Sequence, residues 1–520
     1  MKAASARPYR RAGAAGPGPL LGLSLGLSLA LLSACAVGPD FKKPQAPAGA
    51  GYTPQPLPAT TASAAVAGGD PQTFVMGRDI PFAWWKEFGS AKLDALVDQA
   101  LKNNPTITAA EASLRQAQEQ TYAQEGFFFP TLGAGFNAIR QKSSGNTASS
   151  SQPGIQGNGD NIVQPGPAQP LFYNFYTAQL SISYAPDVFG GNRRKVESLW
   201  AQAEAQRYQM EAAYVTLVDN VVAAAIQEAA LRAQVDATQK YIDQNAKGLE
   251  ILRNQFKAGY AMRLDVAQQE SALAQAQEQL PPLQKQMEQT HDLVRALVGG
   301  LPNQDIDTAF DFDSLHLPRE LPVTLPSKLV EQRPDVLAAE AQWHSASADV
   351  GVAIADELPQ FTISGALDGN ASELRQIFSP GAGFWSLTGN IEQTIFDGGT
   401  LLHTRRAADQ ALIQAAAQYR STVISAFQNV ADTLHAVKSD ADSLAASKAA
   451  EQAAKVALEV TQDQYRTGYV NYLTLLAAQE AYEQAQVSLV QAQSNRYGDT
   501  AALFQACGGG WWNRQQVASN

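Results

Sequence analysis

The stretch Gln255-Phe256-Lys257-Ala258-Gly259-Tyr260 recurs 209 residues later as Gln464-Tyr465-Arg466-Thr467-Gly468-Tyr469. Each copy ends a long proline-free run that is rich in alanine, glutamine, glutamate and leucine. Within a few residues of each copy a second run of similar composition begins. A glycine in this place is an ordinary helix C-terminal cap, so the stretch predicts two helix-turn-helix units in a duplicated chain.

The duplication covers most of the chain. The sequence Asn-Pro-Thr-Ile-Thr-Ala-Ala-Glu-Ala at 104–112 returns as Arg-Pro-Asp-Val-Leu-Ala-Ala-Glu-Ala at 333–341. The offset between matching positions falls by about 20 residues between Pro130 and Gly191, which indicates an insertion in the first half. The predicted divisions are a first repeat (92–298), a proline-rich linker (299–327), a second repeat (328–506) and a C-terminal tail (507–520).

Each half contains a pair of helices. The runs Arg193–Ala258 and Leu401–Thr467 lack proline, and each would form a helix of about 100 Å at 1.5 Å per residue. In the second run apolar residues alternate spacings of four and three, which indicates coiled-coil packing. These residues are Val423, Phe427, Val430, Leu434, Val437, Ala441 and Leu444. The return helices run to about Val298 and Phe504, and Pro281-Pro282 should break or kink the first.

Each half also contains a β-hairpin, at 127–185 and at 358–396. Along each strand apolar residues alternate with small or polar ones, and an exposed loop at 141–170 separates the first two strands. Strands of about 10 residues with this alternation suit a transmembrane barrel, but a sandwich packed on itself has the same alternation. Four strands cannot close a membrane barrel, since the smallest have about eight, so a barrel would need several chains.

The N-terminus has the pattern of an export signal. Four cationic side chains precede the apolar stretch Leu20–Leu32, which at 13 residues is too short to span a bilayer. The following Leu32-Ser33-Ala34-Cys35 matches a lipobox, which predicts removal of 1–34 and lipid attachment to Cys35. Removal of 1–34 changes the net charge from −11 to −15. Residues 35–91 are then a lipidated arm, extended over 36–75, and the mature chain has no other apolar run of about 18 residues.

The composition argues against several functional classes. A net charge of −11 without a basic stripe makes the chain a poor candidate for nucleic-acid binding. The five histidines are scattered and the acidic group Asp305–Asp313 lacks the glycine and terminal glutamate of a calcium loop, so we predict no metal site. The one GxSxG match, Gly22–Gly26, lies in the signal, and we predict no enzymatic activity. Cys507 has no nearby histidine and is expected to be a buried, inert thiol.

Taken together, four motifs resemble a known family. They are Cys35–Phe41 after the signal, Trp84-Trp85 with Phe88, the helix-turn-helix Tyr465–Gln479, and the glycine-rich Ala506–Trp511. In this order they resemble the TolC-like outer-membrane efflux factors, in the lipoprotein branch of the NodT or OprM type. The likeness covers essentially the whole mature chain.

The resemblance implies a mainly α-helical fold with a small transmembrane β part. It implies a homotrimeric channel in which four strands per chain build a 12-stranded β-barrel on a long coiled-coil α-barrel. Such proteins are passive ducts in the outer membrane that extend into the periplasm and dock with a periplasmic adaptor and an inner-membrane pump of the resistance-nodulation-division class. They carry no cofactor beyond the N-acyl and S-diacylglycerol lipid, here on Cys35. Ala36, in place of an aspartate, fits sorting to the outer membrane.

The resemblance also implies a periplasmic gate at the two turns, near 259–263 and 468–472. The turn glycines are Gly259 and Gly468, and the implied gate residues are Tyr260, Asp265, Tyr469, Leu473 and Thr474. Leu473 matches an apolar seal, or alternatively a coiled-coil core position. Asp265 matches an acidic tip residue, or alternatively a charge that favours a helix N-terminus. Ala477 stands where the family usually has aspartate, so a second acidic ring is in doubt.

Three functions remain to be compared. The leading one is export of small molecules as the exit duct of a tripartite efflux pump. The nearer alternative is the duct of a type I protein secretion system, because the partners rather than the duct select the cargo. A non-conducting coiled-coil surface lipoprotein is the third, and the two hairpins argue against it because a stalk needs neither.

Overall fold

The computed structural model describes residues 36–46, 51–142, 172–307 and 309–514, so the export signal and Cys35 lie outside the described residues. The helices are α1 (Ala91–Asn103), α2 (Pro105–Glu125), α3 (Gly191–Lys257), α4 (Arg263–Leu297), α5 (Pro326–Gln332), α6 (Pro334–Asp356), α7 (Thr400–Arg466) and α8 (Tyr472–Ala506). The strands are β1 (Thr73–Met76), β2 (Thr131–Lys142), β3 (Phe172–Tyr184), β4 (Glu320–Val323), β5 (Gln360–Ala371) and β6 (Gly383–Glu392).

The duplication is visible in the lengths of the helices. Helices α3 and α7 each contain 67 residues, and α4 and α8 each contain 35. The ends of α3 and α7 lie within two residues of the runs predicted from the sequence. The apolar stripe of α7 is also confirmed, because Val423, Val430, Leu434, Val437, Ala441 and Leu444 are buried and Phe427 is half-buried.

The predicted break at Pro281-Pro282 does not occur, because α4 continues through both prolines. Each proline removes one hydrogen bond to the carbonyl four residues earlier. Those carbonyls belong to Gln277 and Glu278, which are exposed, as are the prolines themselves. Solvent can reach these carbonyls, which lowers the cost of the missing hydrogen bonds, and the flanking turns pack into the chain, where Ala276 is fully buried.

The four long strands form one antiparallel sheet in the order β2-β3-β5-β6. The hairpins β2–β3 and β5–β6 are those predicted, and the pairing of β3 with β5 joins the two halves of the chain. Strand β2 extends to Lys142, two residues into the loop predicted at 141–170; residues 143–171 lie outside the described part.

One face of the sheet is apolar. Leu132 pairs with Ile182 across β2 and β3, and Leu180, Leu367 and Trp385 are successive partners across β3, β5 and β6. These five side chains are between 42% and 75% exposed. Thr131 and Ser183 pair on the opposite face. A sandwich would bury the apolar face against a second sheet, and within the described residues nothing does so.

The arm and the linker are more ordered than the sequence indicated. Strand β1 belongs to the segment expected to be an extended arm, and β4 to the proline-rich linker; the two pair in parallel with Thr73 opposite Glu320. Neither strand was predicted. Each has only four residues and β4 contains Pro322, so the alternation of apolar and polar residues is too short to distinguish a strand from a loop. The pairing connects two segments nearly 250 residues apart.

The described residues divide into two compact units. One contains the four-stranded sheet, and comprises Glu119–Leu199 and Ser345–Leu412 with the segment up to Phe41. The other comprises Lys42–Gln118, Trp200–His344 and Ile413 onward. Each unit takes segments from both repeats, so the compact units do not coincide with the repeats.

The largest core lies in the second unit. The rings of Trp84 and Phe504 stack with their centroids 5.1 Å apart and their planes 9° from parallel. Trp84 is 1% exposed, and Phe88 and Cys507 are fully buried. Burial raises the pKa of the Cys507 thiol. The expected burial of Cys507 is therefore confirmed.

A pair of carboxyl groups in the second unit predicts a pH-dependent stability. Burial, and then the neighbouring Asp499 of α8, raise the pKa of Asp440 in α7 to about 7, while Arg496 opposes this shift. Because the folded state holds a proton that the unfolded state releases near pH 3.8, the contribution of Asp440 to stability is largest below pH 3.8 and is lost as the pH rises to about 7.

We expect Asp440→Asn to remove this pH dependence. Between pH 3.8 and pH 7 the free energy of unfolding of the variant should rise by about 2 kcal/mol relative to that of the parent, a value that allows for solvent screening of the half-exposed pair. Thermal unfolding of both proteins across this pH range measures the difference. Parallel curves for the two proteins would show that the pKa of Asp440 is not raised in the folded state.

Candidate functional site

The two turns predicted to form the gate have the same backbone geometry. The Tyr260 N–H donates to the Gln255 carbonyl at 2.8 Å and the Gly259 N–H to the Phe256 carbonyl at 3.0 Å. In the second copy Tyr469 and Gly468 make the equivalent bonds at 2.9 and 3.1 Å. This is the Schellman motif, which requires a left-handed residue at the glycine. Gly259 and Gly468 have φ of +80° and +78°, as that motif needs. We refer to residues 255–265 and 464–474 as the tip.

The return helices begin differently in the two copies. In α4 the Asp265 carboxylate accepts a hydrogen bond from the Met262 N–H at 3.0 Å. In α8 the Asn471 side-chain oxygen accepts from the Thr474 N–H at 3.0 Å and from the Thr474 hydroxyl at 2.8 Å. Asp265 and Thr474 occupy matching positions in the two copies. In α4 the side chain at this position accepts from the backbone N–H of the N-cap residue, whereas in α8 the N-cap side chain accepts from the backbone N–H at this position. This geometry supports the capping interpretation of Asp265.

The tip also carries exposed apolar side chains. Tyr260 is 87% exposed and Tyr469 is 85% exposed. Leu473 is 53% exposed and lies outside the buried cluster beneath the tip, whereas Leu475 and Leu476 belong to that cluster. The coiled-coil core position is therefore filled by Leu475 and Leu476, and Leu473 is free to form contacts outside its own chain.

The cluster beneath the tip joins both helix pairs. It contains Leu249, Leu252, Val266 and Ala272 from the first copy and Leu458, Tyr472, Leu475 and Leu476 from the second. The Tyr465 hydroxyl donates to the Gln255 side chain at 3.3 Å, so the two copies of the recurring stretch touch each other. The cluster fixes the two turns at one end of the four helices.

A buried polar network crosses this cluster, and the sequence analysis missed it. The Tyr472 hydroxyl donates to the Gln269 side-chain oxygen. The Gln269 amide donates to the Asn245 carbonyl at 2.8 Å and to its side-chain oxygen at 2.9 Å. Gln269 is fully buried, and burial raises the pKa of Tyr472 well above its ordinary value. The sequence offered one signal for this network: Gln269 lies one helical turn after the apolar Val266 and therefore on the same, buried face of the helix.

Both copies carry an ion pair near the tip, and in the second copy Arg466 pairs with Asp463 at 3.3 Å. Arg253 donates to Glu270 at 2.8 Å, and this bond lowers the pKa of Glu270. Ala477 is exposed and has no carboxylate, so the second acidic ring considered above has no counterpart at this position. Asp265 is thus the acidic residue of the predicted gate.

Two further features bear on other kinds of chemistry. Among the described residues no group of three His, Cys, Asp or Glu side chains could hold a metal ion, and His291 lies 3.2 Å from the buried Glu228. By length and composition α3 alone of the described helices is apolar enough to span a bilayer, and 67% of its most apolar window is buried within the chain. Such burial is typical of a core helix.

Comparison with known proteins identifies the family. Residues 96–300 and 325–509 match the family described as outer membrane efflux protein. The chain belongs to this family. It is 30% identical over 460 residues to the pyoverdine export outer membrane protein OpmQ of Pseudomonas putida, covering 88% of this chain and 94% of OpmQ. It is 27% identical over 502 residues to the probable efflux pump outer membrane protein TtgC of Pseudomonas putida, covering 96% and 97%.

The fold agrees with that of a solved outer-membrane channel. The outer-membrane channel OprN superposes with a TM-score of 0.77 at 26% identity, covering 92% of this chain and all of OprN. The predicted TolC-like fold is confirmed, and with it the assignment of this protein as an outer-membrane efflux channel. The tip described above is therefore one end of the helical part of such a channel.

Proposed function

We propose that this outer membrane efflux protein acts as a homotrimer in which twelve strands, four from each chain, close a barrel. The observation that carries this proposal is the open sheet. Strands β2 and β6 are its edges, and among the described residues neither edge is paired. Open edges and an exposed apolar face are unstable in water, whereas a closed barrel in lipid satisfies both.

The trimer would bring three copies of the tip around one axis. Three Leu473 side chains then form an apolar constriction that excludes water, and three Asp265 carboxylates form an acidic ring. Tyr260, Tyr469 and Thr474 surround this constriction in the proposed gate. The exposure of Leu473 supports this, because a side chain in the core of its own chain is not available for such a ring.

We propose that Cys35 carries the N-acyl and S-diacylglycerol lipid and anchors the chain in the outer membrane. The lipobox sequence before Cys35 supports this. The protein would perform no catalytic step of its own.

The cargo is proposed to be small molecules expelled by an inner-membrane pump of the resistance-nodulation-division class through a periplasmic adaptor. Two relatives support this by name, since OpmQ is a pyoverdine export protein and TtgC a probable efflux pump component. Protein secretion by a type I system remains the competing cargo class. Deletion of the gene tests the choice: hypersensitivity to small toxic compounds supports efflux, whereas loss of one secreted polypeptide with unchanged drug sensitivity supports secretion.

Native mass spectrometry of the protein extracted from outer membranes tests the assembly. We expect three mature chains, each heavier by its lipid, because one chain supplies only four of the strands that a barrel needs. Conductance in a planar bilayer provides the second readout. A monomer that never conducts would contradict the duct and favour the coiled-coil surface lipoprotein.

A further inference from the structure

The segment directly after Cys35 is held against the sheet unit. The Val37 N–H donates to the Phe189 carbonyl at 3.1 Å, and Phe189 lies five residues beyond the end of β3. The strand register places this end of β3 beside the start of β2, because Thr131 pairs with Ser183. Residues 36–40 therefore lie at the end of the sheet where strands β2 and β5 begin and strand β3 finishes.

One buried arginine makes most of the contacts to this segment. The Arg194 side chain is 6% exposed, and it donates to the Val37 carbonyl at 3.0 Å, the Gly38 carbonyl at 3.4 Å and the Asp40 carboxylate at 2.7 Å. It also bonds Glu197 at 2.8 Å. Hydrogen bonds to a charged donor are about twice as strong as neutral ones, so this side chain fixes the segment at three points.

Glycines on both sides allow the backbones to come this close. A Cβ atom on Gly190 would lie 2.6 Å from the Cα of Ala36. A Cβ on Gly351 would lie 2.8 Å from the Val37 carbonyl oxygen, and one on Gly38 would lie 2.4 Å from the Cα of Gly351. Contacts below 3.0 Å do not occur for real Cβ atoms, so these positions fit glycine alone.

We propose that Arg194, Gly190 and Gly351 form a binding site, called the seat, for residues 36–40. The seat fixes these residues, which follow the acylated Cys35, at this end of the sheet. The seat places the lipid beside the strands, at the level where exposed Phe129 and Phe396 flank the sheet as interfacial aromatic residues do. The lipid therefore sets the depth of the sheet in the bilayer instead of ending a free tether. This inference rests on the lipid attachment proposed above.

Trypsin cleavage of the Lys42–Lys43 bond tests the seat in the full-length protein. Lys43 is followed by proline, so this bond is the first tryptic site after the seat. Cleavage needs local release of the flanking residues. We expect Arg194→Gln to speed release of the Cys35–Lys42 peptide by about tenfold or more, because the Val37 and Gly38 carbonyls and the Asp40 carboxylate all lose their charged donor.

Two variants complete the design. Arg207→Gln removes an exposed ion pair with Glu204 on the same helix, and it should leave the cleavage rate unchanged. Asp40→Ala removes one contact of the seat at a side chain that is 86% exposed, so it cannot disrupt the core. We expect it to speed cleavage by about twofold to threefold, which keeps the test decisive if Arg194→Gln does not fold.

The mass of the released peptide separates the two proposals. A lipidated peptide that is released faster from Arg194→Gln supports both the seat and the anchor. A peptide of unlipidated mass with the same protection pattern would overturn the anchor and leave the seat. Equal cleavage rates for the parent, Arg194→Gln and Asp40→Ala would overturn the seat, whatever the peptide's mass.

Discussion

Leu473→Ser is expected to make outer membranes that contain this protein at least about tenfold more permeable to large antibiotics. In the proposed trimer the three Leu473 side chains exclude water from the narrowest point, and serine would hydrate it. The apolar transfer free energy of one leucine side chain is about 2 kcal/mol, which corresponds to a rate factor above about ten. Uptake of a large, normally excluded antibiotic in a strain lacking other leaks measures the effect.

A matched control is available on α7. Ile424 is 58% exposed, close to the 53% of Leu473, and it lies far from the tip in sequence. Ile424→Ser should therefore leave permeability unchanged while altering the surface to a similar degree. If Leu473→Ser behaved like Ile424→Ser, the constriction would lie elsewhere along the channel.

Trp84→Ala should cause the largest loss of stability among single substitutions in the second unit. The indole is 1% exposed and stacks on Phe504, so its removal leaves a large cavity that the surrounding helices cannot close. We expect a loss of about 3–5 kcal/mol in the free energy of unfolding, the range for such truncations. Thermal or denaturant unfolding in detergent measures it.

Trp200→Ala provides the comparison, because Trp200 lies on α3 and is 42% exposed. Its loss should cost about 1 kcal/mol or less, since much of its surface already faces solvent. A small effect at Trp84 as well would mean that the arm carrying it detaches before the helices unfold.

The long helices and the strands, whose residue patterns repeat many times along the element, could be predicted from the sequence. The ends of α3 and α7 and the cap glycines Gly259 and Gly468 follow from composition, periodicity and cap chemistry, which act locally. The strand pairs of both hairpins follow from alternation in the same way. The fold class came from the resemblance, and the family match confirms it.

The contacts between distant segments could not be predicted. The bonds among Tyr472, Gln269 and Asn245 join three helices, and nothing near any of these residues in the sequence indicates the other two. The same holds for β1 with β4 and for Trp84 with Phe504. The break expected at Pro281-Pro282 does not occur because the carbonyls that lose a hydrogen bond are exposed to solvent, and this exposure cannot be seen in the local sequence.

The interleaving of the two compact units constrains how the protein is made. The sheet unit takes its last residues from the segment that ends at Leu412, and the chain enters and leaves this unit repeatedly before then. Neither unit is a continuous fragment, so neither can fold as soon as its first part has crossed the inner membrane. Strand β6 ends at Glu392, which means that the sheet's apolar face stays incomplete until most of the chain has been exported. The early strands of such a chain are prone to aggregate until their partner strands arrive.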